Sequence, residues 1–153
     1  MQLRTLAFKA GDEVPVEFTC DGANISPPLA WTAPPEATQS LALIVEDPDA
    51  PHAPWVHWLV YDLPPTEREL PEAIAPGSPL PGGARQGKND FGQTGYGGPC
   101  PPAGHAHRYF FKIFALDSRL DLPKGASRSQ LDRAMRGHVL ASGEVMGRYR
   151  RHR

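Results

Sequence analysis

The sequence lacks the features that mark membrane proteins and nucleic-acid-binding proteins. No apolar run approaches the ~20 residues that a transmembrane helix needs, and the first residues have no long apolar stretch of a signal peptide. The 16 Lys and Arg residues nearly balance the 17 Asp and Glu residues, for a formal net charge of −1. No overall field would therefore attract a nucleic acid or an anionic membrane. We expect a cytoplasmic protein without a nucleic-acid partner, in which any anion is captured locally.

Cysteine and recognisable nucleophiles are also scarce. Cys20 and Cys100 can form at most one internal disulfide, to which chain entropy would assign roughly 4–5 kcal/mol. Because disulfides are rare in a reducing cytoplasm, we expect two free thiols. No serine lies in a nucleophile motif, and Cys100 stands between Pro99 and Pro101 instead of opening a helix. This pattern disfavours covalent catalysis.

Proline and glycine, by contrast, are abundant. The 18 prolines and 15 glycines among 153 residues exceed the average usage of about 5% and 7%. A hydrophobic fraction of 40% argues against disorder, so the composition is typical of short strands joined by rigid loops. We predict one domain over residues 1–153 that is mainly β, a sandwich of two antiparallel sheets with small helices.

Hydrophobic patterns predict where the strands lie. Two alternating runs around Gly11 and Asp12 predict a hairpin within residues 4–22, and the apolar run in residues 40–48 predicts a strand buried on both faces. Alternation also predicts strands over residues 55–63 and 107–117. In the first of these strands, period two places the following side chains on one face: His57, Leu59 and Tyr61. The opposite face would then carry Val56, Trp58 and Val60.

The other segments are predicted as loop, helix and a last strand. Residues 64–106 form a long loop dense in proline and glycine, and loops of that length in compact domains are usually functional. Ser127 and Gln130 have the spacing of a capping box ahead of an i, i+3, i+4 apolar stripe. This pattern predicts one C-terminal helix over about residues 127–140, followed by a short strand or extended tail.

Ionisable residues concentrate beside a stiff turn. Residues 47–51 read "DPDAP", and because proline restricts itself and the residue before it, the two carboxylates are presented with little entropy loss. His57 and His107 each open an apolar strand next to a proline-rich loop. We predict that both strand ends meet around one pocket, with backbone amides of residues 96–98 as further donors. Whether the bond between Ala50 and Pro51 is cis stays open.

The same segments carry a family resemblance. "DPDAP" followed by "WVHWLVYDLP", and then "GKNDFGQTGYGGPCPPAGHAHRYFFKIFALD", resembles the two signature regions of the phosphatidylethanolamine-binding protein family, also called Raf kinase inhibitor-like proteins. "TCDGANISPPLAW" and "GHVLASGEVMGRY" are similar to its bacterial and archaeal branch. The resemblance covers nearly the whole chain. It implies a β-sandwich whose small surface cavity binds phosphate-like anions, including phospholipid headgroups.

The resemblance also implies the ligand-binding residues. They are Asp47, Asp49, Pro51, Trp55, His57, Gly98, Pro101, Pro102, His107 and Tyr109. An imidazolium, a tyrosine hydroxyl and glycine amides are donors that suit phosphate oxygens. In this interpretation either Asp47 orients His57 and raises its pKa, or Asp49 receives a ligand ammonium or hydroxyl. The family further implies a regulatory or inhibitory role toward a kinase or a serine protease, and a homodimer.

Two other functions fit some of these residues. A hydrolase could use the histidines and acids as a general acid-base site. A zinc site could draw on His105, His107, His57 and Asp47. We expect neither a catalytic residue nor a metal or other cofactor. The segment "GKNDFG" could be a functional loop that contacts the cavity rim, but it is interpreted as a turn, because asparagine, aspartate and flanking glycines favour turns.

Overall fold

The computed structural model describes residues 1–151, which form eight strands, one helix and two short 3-10 turns. The strands are β1 (Leu3–Arg4), β2 (Leu29–Trp31), β3 (Ser40–Asp47), β4 (Trp55–Leu63), β5 (Glu69–Leu70), β6 (Arg85–Gln86), β7 (His107–Leu116) and β8 (Val139–Tyr149), and the helix α1 is Arg128–Met135. The 3-10 turns are Val16–Phe18 and Pro81–Gly83. No helix within residues 1–151 has the length and apolar character to cross a membrane.

The strands form two antiparallel sheets. The larger sheet has the order β6-β4-β3-β7-β8, and the smaller has the order β1-β2-β5. Side chains from both sheets meet in one core cluster, which includes Leu3 and Trp31 from the small sheet and Leu43 and Phe111 from the large one. The predicted mainly-β sandwich of two antiparallel sheets is confirmed.

The central strand β3 is buried over its whole length. Leu41, Leu43 and Val45 point into the core between the sheets, whereas Ala42 and Ile44 pack in a second cluster together with α1. An apolar layer on each face explains why the sequence of β3 shows no alternation. The structure therefore places the end of β3, where Asp47 lies, on a rigid support.

A β-bulge changes the predicted facing of β4. Val45 pairs with Trp58 but Glu46 pairs with Val56, so His57 is the extra residue. Trp58 and Val60 face the core between the sheets, and Val56 packs with Leu59 and Tyr61 on the helix side. His57 instead contacts Tyr109 of the core between the sheets, with ring centroids 5.1 Å apart. The prediction that His57 shares a face with Leu59 and Tyr61 was wrong, because strict alternation ends at the bulge.

The predicted N-terminal hairpin was also wrong. β1 pairs with β2, and Val16–Phe18 is a 3-10 turn. The backbone of residues 11–14 instead joins the edge of β8, where Gly11 N–H donates to the Met146 carbonyl and Val14 N–H to the Arg148 carbonyl. This distant partner satisfies the backbone groups that a local hairpin would have used.

The helix forms with its predicted cap but ends early. Ser127 accepts from Gln130 N–H and the Gln130 side chain accepts from Ser127 N–H, which completes the capping box. The helix ends at Met135, and Gly137 adopts a φ of 80°, the left-handed conformation that terminates helices. Residues 139–140 belong to β8, so the predicted extension to residue 140 was wrong.

The structure shows the state of the two cysteines and of the bond between Ala50 and Pro51. Cys20 and Cys100 form a disulfide with Cα atoms 5.4 Å apart, so the expected free thiols were wrong. The two chain segments are brought together by the fold across 80 positions of sequence, which no local pattern could indicate. The cis X–Pro bond within the described residues is Ala53–Pro54, and Ala50–Pro51 is trans.

Candidate functional site

A small cavity opens where β3 ends and β4 begins. Its volume is about 240 Å³. It is lined by Asp47, Ala50, Pro51, His52, Trp55, His57, Phe91, Cys100, Pro102 and Tyr109. Asp47, His57 and Tyr109 come from β3, β4 and β7, which are adjacent in the large sheet, and the other residues come mainly from the surrounding loops. Strands thus hold the polar groups, and proline-rich loops form the wall.

Six of the ten predicted site residues line this cavity. These six are Asp47, Pro51, Trp55, His57, Pro102 and Tyr109. The other four do not line it and have supporting roles in the structure. His107 and Asp49 hold neighbouring groups through hydrogen bonds, whereas Gly98 and Pro101 are buried in the supporting loop.

Asp47 is bound to His107. The His107 Nδ1 lies 2.7 Å from Asp47 Oδ2, and both side chains are almost fully buried. The other carboxylate oxygen accepts the Asp49 N–H at 2.7 Å. Asp47 therefore fixes the start of the proline-rich turn to the start of β7. The prediction that Asp47 orients His57 was wrong, because both of its oxygens have other partners.

His57 is held by the long loop. Its Nδ1 lies 2.6 Å from the Gly97 carbonyl, which can only accept, so Nδ1 carries the proton. Gly97 N–H in turn donates to the His57 carbonyl at 2.9 Å. Burial lowers the pKa of His57, although the bond to Gly97 and the charge of Asp47 act in the opposite direction. The neutral imidazole thus leaves Nε2 as an acceptor, and the predicted raised pKa was wrong.

The glycine amides are bound within the protein. Gly97 N–H donates to His57, and Gly98 N–H donates to Asn24 Oδ1 at 2.8 Å. A Cβ at Gly98 would overlap the carbonyl of Phe18, so this glycine permits close backbone packing. The expectation that these two amides are free for a ligand was wrong, because sequence does not show which loop amides have internal partners.

Asp49 pairs with Arg108. Its carboxylate accepts from Arg108 N–H at 2.9 Å, from Nε at 3.0 Å and from Nη2 at 2.9 Å. The hydrogen bond from the Arg108 side chain lowers the pKa of Asp49. This pairing fixes the cavity wall to β7 and engages the carboxylate that was predicted to receive a ligand group.

The Tyr109 hydroxyl is the unpaired polar group of the cavity. Tyr109 is 1% exposed, and its hydroxyl has no partner at good hydrogen-bonding geometry within residues 1–151, although it lies close enough to Asp47 for that carboxylate to act on its pKa. Burial raises the pKa of Tyr109, and the negative charge of Asp47 raises it further. The hydroxyl is thus a neutral donor at neutral pH. A buried unpaired donor costs free energy unless a ligand or water accepts from it.

Phe91 is the main cavity residue that the sequence did not predict. It is 44% exposed, and its ring packs edge-on against Trp55 at 5.6 Å and His57 at 5.3 Å between centroids. The surrounding segment does form a turn, because Asn89 Oδ1 accepts from the N–H groups of Phe91 and Gln93. An aromatic residue within an otherwise polar turn was the available signal.

Ala50, His52 and Cys100 also line the cavity without having been predicted. Ala50 and His52 lie in the proline-rich turn that carries Pro51, and Cys100 lies close to Pro102 in the long loop. In the part of the chain that the structure describes, no three His, Cys, Asp or Glu side chains are grouped closely enough to hold a metal ion.

The sandwich, with a small aromatic cavity bordered by proline-rich loops, defines a class of ligand-binding β-protein. The profile of the family described as phosphatidylethanolamine-binding protein matches residues 4–150. The chain belongs to this family. The resemblance seen in the signature motifs is thereby confirmed, and with it a role in ligand binding.

Similar proteins come from archaea and bacteria. The chain is 50% identical to a UPF0098 protein of Methanothermobacter thermautotrophicus over 99% of both chains. It is also 50% identical to a UPF0098 protein of Aquifex aeolicus, over 99% of this chain and 89% of the relative.

Two crystal structures share the fold. Escherichia coli YbcL, described as a new member of the mammalian PEBP family, matches with a TM-score of 0.91 and 36% identity over 98% of each chain. The putative PEBP homologue CT736 of Chlamydia trachomatis matches with a TM-score of 0.87 and 42% identity, over 98% of this chain and 97% of that one.

Proposed function

We propose that the cavity binds a small anion, namely phosphate, a phosphomonoester or a phospholipid headgroup. The observation that carries the proposal is the buried, unpaired hydroxyl of Tyr109 at a cavity of about 240 Å³. An anion oxygen would accept from this hydroxyl and satisfy it. The bond would be charge-assisted because the acceptor is an anion.

The charges around the cavity are compatible with an anion when His57 is protonated. Protonation would turn Nε2 from an acceptor into a second donor, because Nδ1–H stays bound to Gly97. The negative charge of Asp47 is partly offset by the hydrogen bonds from His107 and the Asp49 amide. The apolar side chains of Trp55 and Phe91 would contact the carbon part of a phosphomonoester or headgroup.

Exchange of tyrosine for phenylalanine tests this proposal. For Tyr109→Phe we expect phosphate affinity to fall about ten- to hundredfold, the effect of losing one hydrogen bond to a charged group. The thermal midpoint should stay the same or rise, because the variant removes an unpaired buried hydroxyl. Calorimetric titration and thermal unfolding measure the two quantities.

Tyr61→Phe is the matched control. The Tyr61 hydroxyl donates to the Pro123 carbonyl at 2.6 Å on the helix side of the sheet, so its loss should lower stability and leave phosphate affinity unchanged. Unchanged affinity in Tyr109→Phe, or no phosphate binding by the wild type, would refute the proposed function.

The proposal includes a regulatory or inhibitory role toward a kinase or a protease, exerted through the cavity. Its support is family membership together with a cavity that is open to solvent. A His57→Ala variant should lose capture of such a partner, or inhibition of such a protease, if recognition takes place in the cavity. Retained binding would indicate that the partner contacts another surface of the protein. The cytoplasmic location remains a prediction.

The hydrolase alternative gains no support from the cavity lining. The residues that line it include no serine or threonine, and Cys100 is disulfide-bonded. A hydrolase would have to use water as the nucleophile, with an imidazole as the base.

We also propose a homodimer, formed through the outer face of the small sheet. Arg4, Ala30 and Glu69 lie in one register row across β1, β2 and β5, so the small Ala30 is flanked by opposite charges. Arg4 and Glu69 have no salt-bridge partner among the described residues. A twofold axis that passes above Ala30, outside the sheet and parallel to its strands, would place Arg4 of each copy opposite Glu69 of the other. Leu6, 94% exposed, borders the same surface.

A further inference from the structure

One wall of the cavity is a segment with few hydrogen-bond donors. Within residues 99–102, Pro99, Pro101 and Pro102 lack an amide hydrogen, which leaves Cys100 N–H as the only backbone donor. Cys100 and Pro102 both line the cavity. The position of this segment therefore affects the shape of the binding site directly.

Two connections hold this wall segment to the neighbouring turn. The Cys20 N–H donates to the Pro99 carbonyl at 3.1 Å, which is the one hydrogen bond of residues 99–102 within the described chain. The second connection is the Cys20–Cys100 disulfide. A single neutral hydrogen bond contributes little net free energy, so the covalent link is the stronger of these two connections, beside the packing of the buried Pro99 and Pro101.

The residues before the wall segment are fixed by other means. Before the wall segment, Tyr96 O–H donates to the Phe18 carbonyl at 2.7 Å and Gly98 N–H donates to Asn24. After it, residues 103–106 form an exposed loop that leads to β7. The restraint from the disulfide is thus local to the part of the wall that follows Gly98.

We propose that Cys20 and Cys100 are positioning residues for ligand binding, and that reduction of their disulfide weakens the affinity of the cavity. The proposal rests on the proposed anion-binding function. With the disulfide formed, Cys100 and Pro102 are held in place before a ligand arrives. With it open, a ligand would have to order the wall segment on binding, and that ordering costs part of the binding free energy.

The reduction needs a dithiol. Cys100 is exposed and Cys20 is partly buried, so a thiolate of the reductant attacks the Cys100 sulfur and Cys20 leaves as a thiolate, which takes up a proton. The second thiol of the reductant then displaces Cys100, which is also protonated. Two electrons and two protons pass to the protein, and the reductant becomes a cyclic disulfide.

Phosphate titration of oxidised and reduced protein tests the inference. We expect the dissociation constant for phosphate to rise about fivefold or more after treatment with dithiothreitol, and to return after reoxidation. The Cys20→Ser/Cys100→Ser double variant is the matched control. It should bind as weakly as the reduced wild type and should not respond to the reductant. Equal affinity in both redox states, or wild-type affinity in the double variant, would overturn the proposal.

Hydrogen exchange provides a readout that needs no ligand. Reduction should increase amide exchange of Cys100, of the turn around Cys20 and of residues 103–106, while residues 96–98 and β3 stay protected. Unchanged exchange in these segments would refute the positioning role whatever the titration shows. A uniform increase that includes β3 would also refute it, since the disulfide would then maintain the whole fold. Absence of phosphate binding in the oxidised wild type would refute the anion-binding function instead.

Discussion

His57 determines how the cavity responds to pH. Burial lowers its pKa, so the unfolded chain takes up a proton at a higher pH than the folded protein. The contribution of His57 to the free energy of unfolding is therefore fully present above about pH 6.5, the usual histidine value. This contribution is lost as the pH falls from there through the lowered pKa of the folded state. Acid should both destabilise the free protein and create the donor that an anion needs.

Sulfate is the suitable probe of this residue, because its charge does not change in the relevant range. We expect sulfate affinity to increase as the pH falls below about 6.5 and to be weak and constant above it. Calorimetric titration between about pH 5.5 and 8.5 measures this dependence. Sulfate should also raise the thermal midpoint more at acid pH than at neutral pH.

His52 supplies the control for this pH profile, because it lines the same cavity but is exposed on the wall. His52→Ala should keep the pH dependence of sulfate affinity, and His57→Gln should lose it. A flat profile in the wild type, or a profile that disappears in His52→Ala alone, would exclude the His57 imidazolium as the main donor.

At the scale of the elements, the proline-rich turn over residues 48–54 depends most on one contact, that between Asp49 and Arg108. Arg108 binds Asp49 through its backbone and its guanidinium, and its guanidinium also lies 5.6 Å from the centre of the Phe110 ring. Arg108→Ala keeps the backbone bond and removes the two from the side chain. We expect phosphate affinity to fall a few-fold and amide exchange of residues 49–53 to increase, because the turn loses part of its restraint.

Two substitutions complete the Arg108 experiment. Arg108→Lys should restore part of the affinity, because an ammonium keeps the charge but not the two-pronged geometry. Arg133→Ala removes an exposed arginine of α1 that has no ion-pair partner among the described residues, and it should change neither quantity. If Arg108→Ala kept the wild-type amide exchange of residues 49–53 and the wild-type phosphate affinity, the turn would be held without this contact.

The elements also show what could be predicted from the sequence. β3, β4, β7 and the cap of α1 were predictable, because apolar runs, alternation and capping spacing are local patterns. The bulge at His57 and the N-terminal pairing were not, because each depends on a partner far away in sequence. Such partners also determine which polar atoms stay free for a ligand.

In the candidate site, too, local motifs were predictable and contacts between distant residues were not. Motifs located Asp47, Trp55, His57 and Tyr109 around one cavity. They did not reveal that His107 is the partner of Asp47, or that the glycine amides are already bound. Within the site, the sequence indicated six of the lining residues but neither Phe91 nor the hydrogen-bond partners.

For the whole molecule, the testable property is association. We expect the wild type to dimerise at micromolar or higher concentration, and Arg4→Glu or Glu69→Arg to weaken the dimer, because each places like charges opposite each other. The double variant Arg4→Glu/Glu69→Arg should restore association by exchanging the two signs. Sedimentation velocity over a concentration series measures the equilibrium.

The surface next to this charged row offers an independent variant. Leu6→Asp should also weaken the dimer without lowering the thermal midpoint, because Leu6 is exposed in the monomer. A wild type that stays monomeric over the whole series, or a double variant no better than the single ones, would contradict the proposed interface.

The reciprocal bonds between His57 and Gly97 limit how this protein can be re-engineered. The Gly97 amide donates to the His57 carbonyl, and the His57 side chain donates to the Gly97 carbonyl. These two bonds join the long loop to β4 at one point. The irregular segment around Gly97 is consequently not an independent module that can be transplanted or randomised in a library. Whatever residue replaces His57 must bring its own donor to the Gly97 carbonyl, or the recipient scaffold will lose the geometry for which it was chosen.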